Sequence, residues 1–280
     1  MFASDALEGK TVLVTGGGSG LGLSMAGRFL ELGARVAIAG RSEDRLQEAA
    51  DQLKAPGRVF THPCDVRDAS QVETLTTALW DRFGGVNVVV NNAAGNFLAA
   101  TEDLSPNAFD AVVGIVLYGT FNVSTAIARR WIEEKRAGNM LNILTTYAWT
   151  GSAFVVPSAA AKAGVLAMTR SLAVEWATYG MRMNAIAPGP FPTEGAWARL
   201  LPTPELEAES LSRIPLGRFG RHDELANLAA FLISDGASYI NGECVTIDGG
   251  AWMSSGGLFN GLTRQPRANV KALLRKLRGK

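Results

Sequence analysis

"TVLVTGGGSGLG" (residues 11–22) carries the pattern that decides the fold. A run of apolar and β-branched residues leads directly into a glycine-rich turn, and a helical pattern follows the turn. Glycines at 16, 20 and 22 would let the backbone turn tightly and approach a pyrophosphate, which the free N–H groups and positive dipole of a helix N-terminus bind well. Because the turn stands between a strand and a helix, it predicts a dinucleotide site and not only a structural turn. The residues assigned to it are Gly16, Gly18, Ser19, Gly20, Leu21 and Gly22.

The same alternation of apolar runs and helical patterns continues along the chain. The further candidate strands are "RVAIAG" (35–40), the weaker "RVFTHPCDV" (58–66), "NVVVNN" (87–92), "MLNILTT" (140–146), "RMNAIAP" (182–188) and "ECVTIDGG" (243–250). Strands that are apolar on both faces indicate a parallel sheet covered by helices on both sides. The sequence therefore predicts one α/β domain over residues 1–280, a Rossmann-type doubly wound parallel sheet of about seven strands with helices on both faces.

Composition and charge narrow the range of partners. The 280 residues are 47% hydrophobic and 19% charged, and the net charge of +1 favours neither nucleic acid nor acidic partners. Cys64 and Cys244 stand far apart in sequence and form no metal-ligand pair, so no metal is expected. The first ten residues lack a secretory pattern, and we expect no membrane-spanning run. These features favour a soluble protein of the bacterial cytoplasm, although a processed organellar protein would look the same.

The end of the second predicted strand indicates which dinucleotide fits. An acid there would bind the ribose hydroxyls of NAD, but this sequence has Gly40, Arg41 and Ser42. The guanidinium of Arg41 is suited to a 2′-phosphate, which predicts NADP(H) as the cofactor. Glu43 and Asp44 come later and are expected in the first turn of the next helix.

Two segments depart from the alternating pattern. Residues 190–222 are rich in Pro, Gly and aromatic residues and follow a strand, where α/β proteins bind ligands, so they are a candidate substrate-binding insertion or an ordinary surface loop. The basic tail, residues 264–280, has apolar residues at helical spacing. It is expected to be a solvated or packing helix, with contact to substrate phosphates or a neighbouring subunit as the alternative.

Several motifs together resemble the short-chain dehydrogenase/reductases over roughly residues 8–253. They are the glycine turn, "CDV" (64–66), "NNAAG" (91–95), Lys162 and "PGP" (188–190). The resemblance implies that Asp65 binds adenine and that further cofactor contacts come from Val66, Asn92, Ala93, Lys162, Pro188, Gly189, Pro190 and Phe191. By family habit it also implies a homo-oligomer, a tetramer.

The usual catalytic tyrosine of that family is missing. Ser158 stands four residues before Lys162, where the tyrosine is expected, and Val155 stands seven before it, which excludes the related enoyl thioester reductases. "NNAAGNF" (91–97), "FVVPSAAAKAG" (154–164), "EWATYGMR" (175–182) and "RIPLGRFG" (213–220) instead look like the mitochondrial-type 2,4-dienoyl-CoA reductases. In that branch the tyrosine comes from the preceding strand end, as Tyr147 does here.

This resemblance implies a set of roles. Tyr147 and Asn96 would bind the thioester carbonyl, Ser158 would assist on the same oxygen, and Lys162 would bind the nicotinamide ribose. Cofactor or coenzyme A phosphates are implied for Arg41 and Arg67, the acyl-CoA for Arg199, and the acyl channel for Phe97.

The residues also support this chemistry directly. Hydride addition to a conjugated thioester moves negative charge to the carbonyl oxygen, where placed O–H and N–H donors stabilise the transition state. Reduction of a simple ketone needs a stronger acid than the serine at position 158.

Other interpretations of single residues stay open at this point. Tyr147 alone could be a satisfied aromatic at a strand end, and Ser158 alone could be a helix cap after Pro157. Arg67 and Arg199 could be solvated surface charges. The bulky Tyr118, Trp149 and Trp197 near the expected channel leave acyl-chain length open.

The leading hypothesis is an NADPH-dependent 2,4-dienoyl-CoA reductase that acts on an acyl-CoA in unsaturated fatty acid β-oxidation. The alternatives are another oxidoreductase of this fold acting on a ketone or alcohol, and a non-catalytic nucleotide-binding protein.

Overall fold

Seven parallel strands form one sheet in the order β3-β2-β1-β4-β5-β6-β7. The computed structural model describes residues 2–193, 197 and 200–279. The strands are β1 (Thr11–Thr15), β2 (Arg35–Gly40), β3 (Val59–Pro63), β4 (Val88–Asn91), β5 (Gly138–Ile143), β6 (Met181–Pro188) and β7 (Cys244–Ile247). The predicted doubly wound sheet is confirmed, including the weak strand β3. Strand β7 is shorter than its apolar run because Gly249 and Gly250 both adopt positive φ and turn the chain.

Helices cover both faces of the sheet. Their bounds are α1 (Gly20–Glu31), α2 (Glu43–Leu53), α3 (Ala69–Phe83), α4 (Pro106–Val113), α5 (Gly119–Glu133), α6 (Tyr147–Thr150), α7 (Val156–Glu175), α8 (Pro204–Ser212), α9 (His222–Ile233), α10 (Ala251–Gly256) and α11 (Arg267–Leu277). Side chains alternate across each strand, so Val12 and Val14 pack with α1, α2 and α9 on one face. Leu13 packs on the opposite face against α3 and α5. Both faces are buried, which is why the strands are continuously apolar.

The strand order places a crevice at the carboxyl ends of β1 and β4. From β1 the chain winds outward through β2 and β3, then returns to pair β4 on the other side of β1. Such a reversal leaves the connections on the two sides of the crevice pointing apart, which opens a ligand site between them.

One long helix tests the expectation that no segment could span a membrane. Helices α4 and α5 join through a π-helical turn, Gly114–Tyr118, into the continuous helix Pro106–Glu133, which is long and apolar enough to cross a membrane. The stretch meets this criterion by length and composition alone, because it contains a long uncharged run. Half of its most apolar window is buried, and Trp131 is wholly enclosed and donates Nε1–H to the Val86 carbonyl at 2.7 Å. We identify it as a core helix.

The two irregular segments of the sequence differ in how they pack. The insertion 190–222 contains α8, and the Trp197 ring packs edge-on against Phe219 with centroids 4.7 Å apart. Arg199 lies outside the described residues. The tail forms the predicted amphipathic helix, α11, but only Val270 is buried, while Leu273, Leu274 and Leu277 stay exposed.

Candidate active site

The glycine turn is built for close backbone approach. Gly16 has a φ of 65°, in the left-handed region, and a Cβ at Gly22 would lie 2.4 Å from the Gly16 carbonyl oxygen. Helix α1 begins at Gly20, and no side chain caps its first N–H groups. The turn therefore leaves backbone donors at a helix N-terminus free for an anion, as the sequence predicted.

A cleft of about 580 Å³ opens above this turn, at the crevice between β1 and β4. The predicted cofactor residues that line it are Gly16, Gly18, Ser19, Arg41, Asp65, Val66, Asn92 and Ala93. Gly20, Leu21 and Gly22 form the first turn of α1, next to these residues. Gly189 and Pro190 line a neighbouring cleft with Tyr147, whereas the ring of Phe191 is buried in the core.

The far end of the large cleft is cationic. Arg41 is exposed, and among the described residues nothing accepts a hydrogen bond from it or pairs with its charge. Arg45, one turn into α2, lines the same cleft and was missed in the sequence. Glu43 and Asp44 lie in the first turn of α2, as predicted. The sequence signal that could have identified Arg45 is its position four residues after Arg41, near the start of a predicted helix.

Asp65 and Arg67 form an ion pair at the rim, with Arg67 Nη2 and Asp65 Oδ2 2.5 Å apart. The hydrogen bonds from Arg67 hold the pKa of the Asp65 carboxyl below its usual value, with a smaller contribution from the charge of Arg41. Arg67 is thus fixed at the rim by an internal partner.

Three polar side chains predicted as catalytic meet at Tyr147. The Tyr147 hydroxyl lies 3.0 Å from Ser158 Oγ, and Asn96 Nδ2 donates to it at 3.2 Å. The backbone N–H of Phe97 donates to Asn96 Oδ1 at 2.9 Å, which turns the Asn96 amide so that its nitrogen faces Tyr147. The sequence therefore identified side chains that the fold brings together from three separate segments.

The alternative interpretation of Ser158 as a helix cap is wrong. Helix α7 starts at Val156, so Ser158 is inside its first turn, and its side chain is 2% exposed. Its hydroxyl bonds Tyr147 and not the helix backbone. Burial raises the pKa of Tyr147 above its ordinary value, and hydrogen bonds with Ser158 and Thr145 partly oppose that rise.

Lys162 is one helical turn after Ser158 on α7 and is almost fully enclosed. Its ammonium donates a hydrogen bond to the carbonyl of Ile143, the last residue of β5. Burial lowers the pKa of Lys162 to about 8, since the charged form is poorly solvated there. The group is therefore a cation near neutral pH that loses its charge within the mildly alkaline range.

A buried polar network beneath these residues was also missed. Asn91 Nδ2 donates to Asn142 Oδ1 at 2.9 Å and lies 3.0 Å from Ser124 Oγ, and Asn142 Nδ2 donates to Thr169 Oγ1 at 2.8 Å. These bonds tie β4 and β5 to α5 and α7. The sequence did carry a signal for this network. An asparagine stands near the end of each of the apolar strands β4 and β5, and asparagine is rare in buried strands.

A groove leads away from Tyr147 toward Trp252. Tyr147 lines a cleft of about 370 Å³ together with Thr150 and Trp252, and a second cleft of about 500 Å³ shares Thr150 and Trp252. Trp149 packs edge-on against Trp252, with ring centroids 5.6 Å apart. Phe97 does not line this groove and packs instead against the core cluster under α4 and α7.

A glycine cradle at the switch point of a parallel sheet, next to a tyrosine and a buried lysine, defines a nicotinamide-dependent oxidoreductase. Comparison with known proteins agrees. A family model described as enoyl-(acyl carrier protein) reductase matches residues 16–251. The chain is 47% identical over 250 residues to a probable 2,4-dienoyl-CoA reductase of Bacillus subtilis (strain 168), covering 89% of this chain and 98% of the relative. A peroxisomal 2,4-dienoyl-CoA reductase of Arabidopsis thaliana is 37% identical, with 90% and 88% covered.

Solved structures are similar over the same range. A short chain dehydrogenase from Bacillus anthracis is 45% identical with a TM-score of 0.81, covering 89% of this chain and 98% of that one. A putative 2-deoxy-d-gluconate 3-dehydrogenase from Agrobacterium tumefaciens, solved with bound NADP, is 32% identical with a TM-score of 0.82, covering 90% and 100%. The chain belongs to the short-chain dehydrogenase/reductase family of oxidoreductases. The predicted resemblance is confirmed, down to relatives that carry the name of the predicted branch.

Proposed function

We propose that this protein uses NADPH to reduce 2,4-dienoyl-CoA thioesters to enoyl-CoA, as an auxiliary enzyme of unsaturated fatty acid β-oxidation. The observation that carries the proposal is the cluster of Tyr147, Asn96 and Ser158, with the tyrosine supplied by the segment after β5. Because the tyrosine comes from that segment, a serine, Ser158, stands at the position where the resemblance places the proton-donating tyrosine of ketone-reducing family members. The names of the relatives support the same substrate class.

The three side chains suit charge developing on a thioester carbonyl. Bound NADPH would supply the hydride, and the dienoyl group would pass the resulting negative charge to its carbonyl oxygen. The Tyr147 hydroxyl and the Asn96 amide N–H would donate to that oxygen, while Ser158 would hold the Tyr147 hydroxyl in place. Tyr147 needs to donate a hydrogen bond and not to ionise, which fits its raised pKa.

Lys162 would add positive charge to this site. Buried beside the end of β5, it would bind the nicotinamide ribose and favour the anionic dienolate. A cation enclosed in protein stabilises a nearby anion more strongly than one in water.

The choice of NADPH follows from the cationic end of the large cleft. Arg41 and Arg45 line it, and no acid stands at the end of β2 to bind ribose hydroxyls. A guanidinium forms paired hydrogen bonds with a phosphate, so two of them would favour the 2′-phosphate of NADP(H).

The coenzyme A and acyl parts of the substrate would lie on different sides of Tyr147. With Arg41 engaged by the 2′-phosphate of the cofactor, Arg67 at the cleft rim would meet a phosphate of the cofactor or of coenzyme A. The contact of Arg199 with the acyl-CoA is proposed from the family resemblance. The groove at Trp252, against which Trp149 packs, would take the acyl chain, and Phe97 would not line it.

The decisive experiment compares two substrates with the purified protein. NADPH oxidation should follow addition of a 2,4-dienoyl-CoA and should not follow addition of a 3-ketoacyl-CoA. Turnover of the ketone alone would assign the protein to the ketone-reducing members of the family. Binding of NADPH with no turnover of either substrate would make it a nucleotide-binding protein without this activity.

A further inference from the structure

His222, the first residue of α9, joins the loop after β6 to helix α1. Its Nε2 lies 2.6 Å from the carbonyl oxygen of Pro192, in the loop after β6. Its Nδ1 lies 2.8 Å from Ser24 Oγ, in the second turn of α1. A single half-buried ring therefore bridges the loop and the helix whose first turn forms the glycine cradle.

The protons of this bridge follow from its partners. A carbonyl oxygen only accepts, so the hydrogen must be on Nε2. In the neutral ring, Nδ1 accepts a hydrogen bond from the Ser24 hydroxyl. In the protonated ring, Nδ1 donates to Ser24 Oγ, and the Ser24 hydroxyl donates to the Gly20 carbonyl oxygen, which lies 3.0 Å from Ser24 Oγ. The bond to Pro192 persists in both charge states, so the bridge does not depend on the protonation of His222.

The loop that His222 holds lies against the cradle. It is residues 189–193, which continue the segment "PGP" from β6. A Cβ placed on Gly20 would lie 3.3 Å from Thr193 Cγ2, so the loop touches the first turn of α1. Its other side is fixed by Gly220, whose N–H donates to the Pro190 carbonyl at 3.1 Å.

We propose that His222 is a positioning residue that fastens residues 189–193 over the N-terminus of α1 and thereby holds the bound dinucleotide. The proposal rests on the proposed use of a nicotinamide dinucleotide at this cleft. The loop has other attachments at Gly189 and Gly220, so loss of His222 should loosen its Pro192–Thr193 end and leave the rest in place. The expected effect is on cofactor binding, with little on the chemical step.

The test compares two substitutions at one position. His222→Leu removes both ring nitrogens, while His222→Gln keeps an N–H donor that reaches toward the Pro192 carbonyl. His222→Leu should weaken NADPH binding, measured by fluorescence titration, by about fivefold to tenfold, the effect of one lost hydrogen bond. His222→Gln should restore most of that affinity, and kcat at saturating NADPH should change less than twofold or so in both.

A second measurement does not need the cofactor. Amide hydrogen exchange of the segment containing Phe191 and Thr193 should be faster in His222→Leu than in the unaltered protein, with His222→Gln in between. The matched control is His62→Leu, the same change at the other histidine of the sequence, on edge strand β3. It should alter neither NADPH affinity nor exchange in that segment.

The outcomes separate the two proposals. If the unaltered protein binds neither NADPH nor NADH, the proposed function fails. If it binds NADPH but His222→Leu binds it equally well, or His222→Gln is as weak as His222→Leu, the positioning role of His222 is overturned and the proposed function stands. If His222→Leu folds poorly, Ser24→Ala and His222→Gln still test the two sides of the bridge. A loss of NADPH affinity in these variants while amide hydrogen exchange of residues 189–193 stays normal would contradict the positioning role.

Discussion

The hydroxyl groups of Tyr147 and Ser158 lie 3.0 Å apart, although one belongs to the turn after β5 and the other to the first turn of α7. Ser158 stands four residues before Lys162, where the family resemblance leads one to expect the tyrosine. The hydroxyl that we propose as catalytic is instead on another segment, and Ser158 bonds it. The two hydroxyls are not equivalent, because Ser158 is buried whereas Tyr147 is partly exposed and lines the neighbouring cleft.

Tyr147→Phe should lower kcat by roughly 10²–10³ with a dienoyl-CoA, because it removes one donor to the carbonyl oxygen and keeps the ring. Ser158→Ala should cost less, since the Tyr147 hydroxyl remains. Steady-state kinetics and NADPH titration of both variants check this, and NADPH affinity should be unchanged in Tyr147→Phe. Full activity of Tyr147→Phe would refute the assigned role. The double variant with Ser158→Tyr should not recover activity, since position 158 is enclosed.

The buried Lys162 should give the reaction an alkaline limit. Its pKa is lowered to about 8 by burial, so it is charged below that pH and neutral above it. If its charge stabilises the dienolate, kcat/KM should fall as pH rises through about 8 in the free enzyme. A pH profile checks this, and Lys162→Met should be slow and lack that limb. A profile flat to higher pH would contradict the role of the charge.

Lys162 should also affect stability in a defined direction. Because its folded-state pKa is lower than its unfolded value of 10.5, the unfolded chain binds more protons between about 8 and 10.5. The contribution of Lys162 to the free energy of unfolding therefore becomes more favourable as pH rises through that window. Urea unfolding across the window should show a steeper rise for the unaltered protein than for Lys162→Met. Equal slopes would mean that the lysine is not enclosed as described.

Arg41→Ala should weaken NADPH binding by at least about tenfold and leave NADH binding nearly unchanged, because only NADPH carries the 2′-phosphate. Arg45→Ala should act in the same direction by a smaller factor. Arg82→Ala, on α3 away from the cleft, is the control. Equal losses for both dinucleotides would remove Arg41 from the phosphate site.

Trp252→Ala should change how kcat/KM depends on the length of the acyl chain of the substrate. If the acyl chain lies along the aromatic groove, the variant should lose more kcat/KM with long 2,4-dienoyl-CoA substrates than with the shortest one. The loss for long chains should be of the order of tenfold, in keeping with burial of several methylene groups. A comparison across chain lengths checks this, with Trp176→Phe at the far end of α7 as the control. The same loss at every length would place the chain elsewhere.

The protein should form a homo-oligomer, a tetramer by family habit. Val174 on α7 and Phe121 on α5 are 78% and 49% exposed, and apolar groups so placed on core helices are suited to a partner surface. Sedimentation should give a multiple of the 29.6 kDa chain mass. Val174→Arg should lower that mass, and a monomer at micromolar concentration would contradict the prediction.

The sequence predicted the sheet because the sheet depends on short-range patterns. The run around Val12, Val14 and the glycine turn specifies its own strand, turn and helix. Tyr147, Ser158 and Lys162 fall in one window of the sequence, but the roles proposed for them and for Asn96 came from the family resemblance.

Other parts depend on residues that meet only in the fold. Trp252 reaches Trp149 across about a hundred residues of sequence, and no local pattern predicts such a contact. His222 meets Ser24 because α1 and α9 pack on the same face of the sheet. The apolar helix Pro106–Glu133 is another such part, since composition alone does not distinguish a core helix from a membrane helix.

The short turn α6 has an evolutionary consequence. In most of the family the acid and the lysine would share one rigid helix turn, so neither could shift without the other. Here Tyr147 stands on α6, a separate short turn that packs against α7, and the hydroxyl of Ser158 bonds it. A change in the length or sequence of residues 148–155 could therefore retune the direction of the donor while the lysine stays fixed. The proposed donor and the lysine would then be adjustable one at a time.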